Sequence, residues 1–451
     1  MHLDYPLWNW SASDTEKTPA TYYEASLEPW QNSAALPEDR SCDVLVIGGG
    51  LLGLSAALHL AESGVDTLLV EKNHIGSAAS GRNGGQLTPG LARWEAADML
   101  SNLSCDEAKR LWRFASVEAM TLIDEFARGY DLQFDRRYGH ITAAVHPGHL
   151  TALLQGADAR FRLGDSSAEV AGRHKLLTLL NSDYYHGGVI DRGGGQLHPL
   201  ALVRGLAYAF ARNGGETFEE TEVVALQEIS GGVIAETAGG KITARKAVVL
   251  ALHNSTFSLD PDASATTIPF YTYVGVTKPL DEGTIKTLLP ADMPVYDTQV
   301  QIDYYRPVSG NRLLFGGQGT GSCWAPQDIN AYLLQRMNTV FPQYSGFELD
   351  YSWSGVSDFT LNGATDSRKT EGCIPVYTVH GWSGHGVAQT VRIGKAISDD
   401  IRNINDDFAM LTTIDHYNIP MGRHLSPFAI PVAKAALEVM STVNPGKLIS
   451  F

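Results

Sequence analysis

The chain has 451 residues, of which 44% are hydrophobic and 19% charged, and its formal net charge is −16. This length exceeds what a single hydrophobic core normally supports, so two interleaved domains are expected in a globular protein of ordinary composition. The negative charge repels the phosphates of nucleic acids, which argues against a nucleic-acid partner.

The N-terminal region shows no sign of a signal peptide, since no basic segment precedes an apolar run. Residues 1–40 contain several Pro, Ser and Trp and are predicted to form an arm on the surface. The four cysteines lack the spacing of a metal site, which indicates reduced thiols, no bound metal and a cytoplasmic protein. They are Cys42, Cys105, Cys323 and Cys373.

The first organised segment is "CDVLVIGGGLLGLSAALHLAESGVDTLLVEK", residues 42–72. An apolar run at 44–47 predicts a buried parallel strand, residues 54–61 predict a helix, and residues 65–70 predict a second strand. The stretch 44–61 is almost wholly apolar. Its glycines, and the change from a strand-like to a helix-like spacing of apolar residues, favour this strand–turn–helix over a membrane span.

The turn between the first strand and the helix has the glycine spacing of a dinucleotide-binding loop. Gly48 permits a tight turn, Gly50 lets the backbone approach a pyrophosphate, and Gly53 lets the helix pack closely on the strand. The N-terminus of the helix offers free N–H groups and a partial positive charge to the phosphates. Glu71, 18 residues after Gly53, is predicted to accept hydrogen bonds from ribose hydroxyls, and it argues against a 2′-phosphate.

A second glycine-rich segment, "GSAASGRNGGQL" at residues 76–87, follows the second strand. Its small residues and glycines allow the backbone to lie flat against a planar ring system. A nicotinamide cofactor has no need of such a segment, whereas a flavin is covered on one face by one of this kind. The segment therefore favours FAD over NAD.

The chain resembles the D-amino-acid-oxidase-type family of FAD-dependent oxidoreductases, which includes glycine and sarcosine oxidases. The resemblance runs from residue 21 to beyond residue 390 and is specific, because six motifs keep their order and spacing. In order, these are "TYYEASL", "CDVLVIGGGLLGLSAALHLAESG", "IGSAASGRNGGQL", "GGGQLHPLALVRGLA", "DYYRPVSGNRLLFGGQ" and "GWSGHGV".

The resemblance implies an α/β (α+β) fold. A Rossmann-like FAD-binding domain is assembled from separated segments, and a substrate domain with a mixed or antiparallel sheet is inserted between them. We expect the FAD-binding domain at 41–92, 186–259 and 351–402, the substrate domain at 93–185 and 260–350, and a helical, packed C-terminal tail at 403–451.

The same resemblance implies where FAD binds. Val223 is expected beside the adenine, Ala251 near the pyrophosphate, and the loop 381–387 against the flavin ring. A helix N-terminus near residues 386–390 would stabilise the negative charge that a flavin gains on reduction. The residues predicted to bind FAD are Gly48, Gly50, Leu51, Leu52, Gly53, Glu71, Lys72, Ser80, Gly81, Arg82, Asn83, Gly84, Gly85, Gln86, Leu87, Val223, Ala251, Gly384, His385, Gly386 and Val387.

Two residues near family motifs are assigned structural roles. Cys373 lies roughly where some relatives carry a cysteine bonded to the flavin, but it is interpreted as the start of a strand, and FAD is expected to be bound non-covalently. His198 precedes Pro199 and is expected to begin a helix, since Pro favours the first helical turn.

The reaction implied by the resemblance is oxidation of a C–N bond of an amine. A hydride passes from the carbon to flavin N5 while the lone pair of the unprotonated nitrogen assists, and the imine is hydrolysed to an aldehyde plus amine or ammonia. O₂ then reoxidises the flavin to give H₂O₂, or another electron acceptor does so. The expected partners are therefore a small-molecule amine and the acceptor, and the sequence leaves the oligomeric state open.

Four residues are candidates for the chemistry. Tyr271 and Tyr273 share a face of a predicted strand and are suited to stacking on an amine. Arg306, in "YYRP", matches in position an arginine with which amino-acid-oxidising relatives hold a carboxylate. His385 either touches the flavin or holds the turn. Lys278 is a weaker candidate for oxygen activation, because its position matches poorly.

The sequence departs from its relatives in two places. Trp353 and Gly355 are present, but the Arg-Pro pair that follows them in many amino-acid-oxidising members is absent. This favours an amine over a free amino acid, including an amine with a distant polar group such as a gamma-glutamyl amide. His140 stands where we expect a glycine, and it either narrows the pocket or is an ordinary strand residue.

Two alternatives remain open. One is an amino-acid oxidase or dehydrogenase of the glycine, sarcosine or D-amino-acid type, in which Arg306 binds the carboxylate. The other is a non-catalytic FAD-binding protein. A pyridine-nucleotide reductase is disfavoured, because the sequence shows only one complete dinucleotide-binding βαβ unit.

Overall fold

The computed structural model describes residues 21–419 and 421–449. Positions 1–20 of the predicted arm lie outside these residues. The described part of the arm is not only a surface segment, because Tyr22 and Tyr23 in its short helix are buried. Within the described ranges, no helix combines the length and the apolar character needed to cross a membrane.

The described strands form two sheets. In chain order the strands are β1 (Arg40–Ile47), β2 (Thr67–Val70), β3 (Gln86–Leu87), β4 (Arg137–Ala143), β5 (Ala168–Gly172), β6 (Gly187–Gln196), β7 (Glu216–Phe218), β8 (Val223–Ile229), β9 (Gly232–Thr237), β10 (Gly240–Leu250), β11 (Thr267–Thr277), β12 (Val295–Asp297), β13 (Asp303–Val308), β14 (Arg312–Thr320), β15 (Leu349–Thr360), β16 (Asp366–Thr370) and β17 (Val376–His380).

Helices connect and cover these strands. In chain order they are α1 (Tyr22–Ala25), α2 (Leu51–Glu62), α3 (Ala79–Arg82), α4 (Ala96–Asn102), α5 (Cys105–Trp112), α6 (Ala119–Tyr130), α7 (His149–Arg162), α8 (Arg173–Leu177), α9 (Pro199–Arg212), α10 (Pro261–Ser264), α11 (Glu282–Leu288), α12 (Pro326–Val340), α13 (Val387–Ile401), α14 (Asp407–Thr412) and α15 (Gly422–Val443). A π-helical segment at Arg113–Glu118 joins α5 to α6, and a 3₁₀ segment spans His253–Ser258.

The first sheet contains the predicted nucleotide-binding unit. Its strands lie in the order β16-β17-β10-β1-β2-β7, with β9 and β8 attached beside β10. β1 pairs in parallel with β2 and β10, and β10 pairs in parallel with β17. Residues 44–47 of β1 are all buried, as expected for an inner strand of a parallel sheet. The predicted Rossmann-like arrangement is confirmed.

The second sheet is largely antiparallel. Its strands lie in the order β15-β11-β14-β13-β12-β4-β6-β3, with β5 beside β6. The pairing of β12 with β4 is parallel, which makes the sheet mixed. Its apolar core includes Tyr305, Phe315 and Phe341, which lie apart from the core around α2. The predicted mixed sheet is therefore present.

Three strands lie in the second sheet although their residues were expected in the FAD-binding domain. β3 and β6 pair with each other, and β6 also pairs with β4 and β5. β15 pairs with β11 along residues 349–360. The glycines of "GGGQ" end β6. Residues 86–87, 187–196 and 349–360, which were expected in the FAD-binding domain, therefore belong to the second sheet.

The two helices that follow the glycine-rich loops pack against each other. The hydroxyl of Ser55 in α2 donates to the carbonyl of Val391 in α13 (2.6 Å). A Cβ atom on Gly394 of α13 would lie 2.7 Å from the carbonyl oxygen of Leu52. Because the strands before these helices, β1 and β17, both pair with β10, the two loops emerge at the same edge of the sheet.

The C-terminal tail is helical, and the second half of its last helix exposes several large apolar side chains. Ser426 and Ile430 of α15 are buried, whereas Val432 is 70% exposed and Val443 is 71% exposed. Beyond Pro431, which lies within the helix, the tail still contacts the protein where Lys434 donates to the side chain of Gln318 and where Gly446 lies against Gly148.

Replacing Gly394 with alanine is expected to destabilise the protein by about 1–3 kcal/mol, because the methyl group forces α2 and α13 apart. Gly156 of α7 is the matched control, since a Cβ there meets nothing within 4 Å. Gly156→Ala is expected to stabilise by up to about 1 kcal/mol through helix propensity. Urea unfolding of both variants measures the difference, and equal effects would contradict the close packing at Gly394.

Candidate active site

The first glycine-rich loop joins β1 to α2 with no room for side chains. Gly48 has φ +117°, and a Cβ there would lie 2.4 Å from the carbonyl oxygen of Ala251. A Cβ on Gly53 would lie 2.0 Å from the carbonyl oxygen of Gly48. Gly50 is the N-cap residue of α2 and has no side chain to cap it. These contacts fit the predicted tight turn and close helix–strand packing.

Glu71, the acidic residue directly after β2, is hydrogen-bonded to this loop. The carboxylate of Glu71 accepts hydrogen bonds from the backbone N–H of Gly49 (2.7 Å) and of Asn73 (2.9 Å). Burial raises the pKa of Glu71 above its usual value. Lys72 pairs at the surface with Glu222 (2.7 Å), next to Val223 at the start of β8.

The segment 80–87 is clamped between the first loop and the second sheet. The Ser80 hydroxyl accepts a hydrogen bond from the backbone N–H of Leu51 at the start of α2 (3.0 Å). The Trp353 indole donates to the carbonyl of Arg82 (2.8 Å). The Asn83 side chain accepts from the N–H of Gly85 (2.8 Å), which fixes the turn.

Arg306 holds this segment and does not face the cavity. Its Nε donates to the carbonyl of Gly84 (2.6 Å), and its Nη2 donates to the hydroxyl of Tyr23 (3.1 Å). A Cβ on Gly85 would lie 2.5 Å from the same guanidinium. With its donors engaged inside the protein, Arg306 does not offer the carboxylate site expected from the sequence.

A buried carboxylate of the second sheet is hydrogen-bonded to the backbone of the second loop, which lies between β17 and α13. Asp358 of β15 accepts hydrogen bonds from the backbone N–H of Gly381 (3.1 Å) and of Trp382 (3.2 Å). Gly384 has φ +80° and open space where a side chain would lie. Gly386 is the N-cap of α13, so this helix too begins without a capping side chain.

Asp358 forms a buried ion pair with His253, at an Oδ1 to Nε2 distance of 3.1 Å. Burial disfavours the charged carboxylate, but His253 outweighs that cost and lowers the pKa of Asp358 to about 2. Burial also disfavours the charged imidazole, yet Asp358 raises the pKa of His253. His253 itself lines the cavity described below.

Both glycine-rich loops line one cavity of about 1320 Å³. Single small molecules usually occupy about 300–1,000 Å³, so this cavity has room for FAD together with a substrate. Two uncapped helix N-termini and the close backbone of the first loop fit a dinucleotide. The predicted FAD-binding residues that line the cavity are Gly48, Gly50, Leu51, Leu52, Glu71, Lys72, Ser80, Arg82, Asn83, Gly84, Gly85, Gln86, Val223, Ala251, Gly384, His385, Gly386 and Val387.

Three residues predicted to bind FAD do not line the cavity. Gly53 packs on Gly48, a Cβ on Gly81 would lie 2.1 Å from the carbonyl oxygen of Gly76, and Leu87 is fully buried in the core. Their roles are in packing beneath the loops.

The two candidate tyrosines of β11 differ in their surroundings. Tyr271 lines the cavity. Tyr273 does not, because its ring stacks on Trp324 with centroids 5.0 Å apart and its hydroxyl is hydrogen-bonded to Thr320 (2.7 Å). The expectation that Tyr273 contacts a ligand is therefore corrected. Tyr271 and Tyr273 lie on one face of β11, but only Tyr271 lies in the part of the strand that reaches the cavity.

His385 lines the cavity, edge-on to the ring of Tyr296 at 5.9 Å. Burial, helped by the charge of Arg93, lowers the pKa of His385 to about 4, so its imidazole is neutral at neutral pH. His140 packs behind Tyr296 at 4.7 Å and bonds to Gln86 (3.0 Å), so it supports the cavity wall without lining it.

Two weaker candidates lie away from the cavity. Lys278 is exposed and pairs with Glu348 (2.5 Å). Cys373 is exposed and does not line the cavity, whereas Cys323 does. His198 acts as expected, because its ring caps α9 by accepting from the N–H of Ala201 (3.1 Å).

Several cavity residues were missed by the sequence analysis, among them Arg93, Tyr296 and Tyr304. Tyr304 lies in the same "YYRP" motif as Arg306, and a Cβ on Gly84 would meet its ring at 2.7 Å. Strand alternation places both residues on one face but does not indicate which one reaches the cavity. Arg93 stands alone in "LARWEAAD" and gives no motif signal.

Comparison with known proteins defines the family. Residues 43–399 match the family model described as FAD dependent oxidoreductase (DAO), so the chain belongs to this family. It is an FAD-dependent oxidoreductase homologous to amine and amino-acid oxidases. The sequence-based assignment of family and cofactor is confirmed, and the alternative of a non-catalytic FAD-binding protein is set aside.

Particular relatives cover most of the chain. It is 32% identical to gamma-glutamylputrescine oxidoreductase of Escherichia coli over 411 residues, covering 91% of this chain and 95% of that protein. It is 26% identical to glycine oxidase of Geobacillus kaustophilus, covering 71% and 82%. The crystal structure of that organism's glycine oxidase matches with a TM-score of 0.71 at 22% identity, covering 84% of this chain and all of that one.

The Asp358–His253 pair is expected to make the free energy of unfolding of the protein depend on pH. Because folding raises the pKa of His253 and lowers that of Asp358, the pair stabilises fully between about pH 4 and 6.5, the usual pKa values of the two groups, and loses this stabilisation as the pH rises through the raised value of His253. His253→Gln is therefore expected to cost about 3 kcal/mol within this range and progressively less at higher pH.

Urea unfolding of the FAD-loaded protein between about pH 5.5 and 8.5 measures this difference, since glutamine keeps a donor but carries no charge. In an Asp358→Asn background, His253→Gln is expected to show no such pH dependence. Parallel stability curves for the native protein and His253→Gln would contradict the ion pair.

Proposed function

We propose that the protein oxidises the C–N bond of a small-molecule amine that carries a polar tail. The observation that carries the proposal is the single cavity lined by both glycine-rich loops and by aromatic residues of the second sheet, including Tyr271, Tyr296 and Tyr304. Bound FAD would accept a hydride from the carbon next to the amine nitrogen and pass the electrons to O₂ or another acceptor.

The chain's own residues position the reactants. The N-terminus of α13, presented by Gly384 and Gly386, offers N–H groups where negative charge develops. The aromatic rings provide apolar walls that exclude water, together with faces on which an amine can stack. His385 is neutral at neutral pH, so it adds no positive charge against a cationic substrate.

The choice of a polar-tailed amine rests on two observations. The second Arg-Pro clamp is missing after Gly355, and Arg306 is engaged with Gly84 and Tyr23. An α-amino acid held by Arg306 is therefore disfavoured. The name of the Escherichia coli relative indicates a gamma-glutamylated amine, and we extend this substrate class to the present chain.

Anaerobic mixing of the purified protein with gamma-glutamylputrescine, putrescine, glycine and sarcosine tests the proposal. The gamma-glutamylated amine is expected to bleach the flavin absorbance, because its carbon donates the hydride, and the yellow colour is expected to leave the protein on acid precipitation. Lys278→Met is the control variant, since this exposed side chain lies outside the cavity. Reduction by glycine or sarcosine alone would contradict the proposed substrate class.

A further inference from the structure

Arg93 is a cavity-lining cation that none of the motifs contains. It lies in the turn between β3 and α4, where its backbone N–H donates to the carbonyl of Gly363 (2.9 Å). Its side chain faces the cavity beside Tyr296 and His385. Among residues 21–419 and 421–449, the guanidinium forms no hydrogen bond or ion pair.

No carboxylate of the described residues lies within ion-pairing distance of the Arg93 guanidinium. His385 is neutral at neutral pH. Burial lowers the pKa of Arg93, and the carboxylate of Glu95, an exposed residue at the start of α4, opposes this through its charge without pairing with the guanidinium. A guanidinium nevertheless stays protonated at neutral pH.

Several other partly buried arginines are paired with carboxylates, and Arg306 is bonded to neutral groups of the protein, because a buried charge without a partner is costly. The pairs are Arg160 with Asp191 (3.1 Å), Arg336 with Asp303 (2.7 Å) and Arg392 with Asp407 (2.5 Å). Arg93 lines the cavity without such a pair, so a ligand in the cavity can reach its guanidinium.

We propose that Arg93 binds a carboxylate of the substrate and thereby selects amines that also carry an acid group. A guanidinium binds a carboxylate through two parallel N–H···O bonds, which gives it a geometric preference that a lysine lacks. The inference rests on the proposed function. The phosphates of FAD are expected at the start of α2, whereas Arg93 faces His385 of the second loop.

Lys434 of α15 is a second cation near the cavity, although it does not line it. Its Nζ donates to the side chain of Gln318, which lines the cavity. Because this ammonium already has an acceptor within the protein, it is less available to a ligand than Arg93. The variant Lys434→Met is therefore the matched control for Arg93→Met.

Binding to the FAD-loaded enzyme is measured by calorimetry with carboxylates that lack an oxidisable amine. The probes are acetate, N-acetyl-gamma-aminobutyrate and N-acetyl-gamma-glutamylbutylamide, each compared with its carboxamide. We expect the native enzyme to prefer at least one carboxylate by about 10- to 100-fold, and Arg93→Met to abolish this preference without changing the affinity for the carboxamide. Arg93→Lys is expected to be intermediate, and Lys434→Met to keep the preference.

Three results would overturn the assignment: no preference for any of the carboxylates in the native enzyme, a preference that survives Arg93→Met, or a preference lost in Lys434→Met. Loss of FAD from Arg93→Met would also overturn it, because the arginine would then serve the cofactor. Calorimetry needs no turnover, so a failure of gamma-glutamylputrescine to reduce the flavin would reject the proposed function while the binding result still decides the role of Arg93.

Discussion

The packing of α2 against α13 at Gly394 is the constraint on which the candidate active site depends. The loops before these helices lie more than three hundred residues apart in the sequence, yet their strands, β1 and β17, flank the same strand β10. Since parallel strands end at one edge of a sheet, both helix N-termini open at that edge. The absence of a side chain at Gly394 lets the helices approach, and the loops then line a common cavity.

The second sheet fixes the loops that the first sheet presents. Arg306 bonds to the backbone of the segment 80–87, Trp353 bonds to the carbonyl of Arg82, and Asp358 holds the backbone of Gly381 and Trp382. Each contact uses a buried polar side chain to satisfy a loop backbone group, as buried loops require. These contacts order the loops before a ligand binds, which reduces the conformational entropy that the protein loses on binding.

Local sequence was sufficient to predict the glycine-rich loops, their helices and the acidic residue Glu71. These features depend on spacing within a few tens of residues, and they lie where expected. Sequence was not sufficient for Arg306 or Tyr273, because their roles depend on partners far along the chain or on depth within a strand face. Arg93 was missed for a related reason: its significance is the lack of a partner, and only the assembled structure shows it.

The central claim is that the second loop holds the same FAD as the first, and Gly384 tests it most directly. Gly384 and Gly64 both have positive φ, +80° and +74°, and open space for a side chain, but only Gly384 lines the cavity. The measurement is FAD affinity by flavin fluorescence on titration of apoprotein. We expect Gly384→Leu to weaken FAD binding by at least roughly 10-fold and Gly64→Leu to leave it unchanged. Both substitutions place leucine at a positive φ and so carry the same backbone strain, which means that a difference in affinity reports the side chain in the cavity. FAD affinity unchanged in Gly384→Leu would contradict the account.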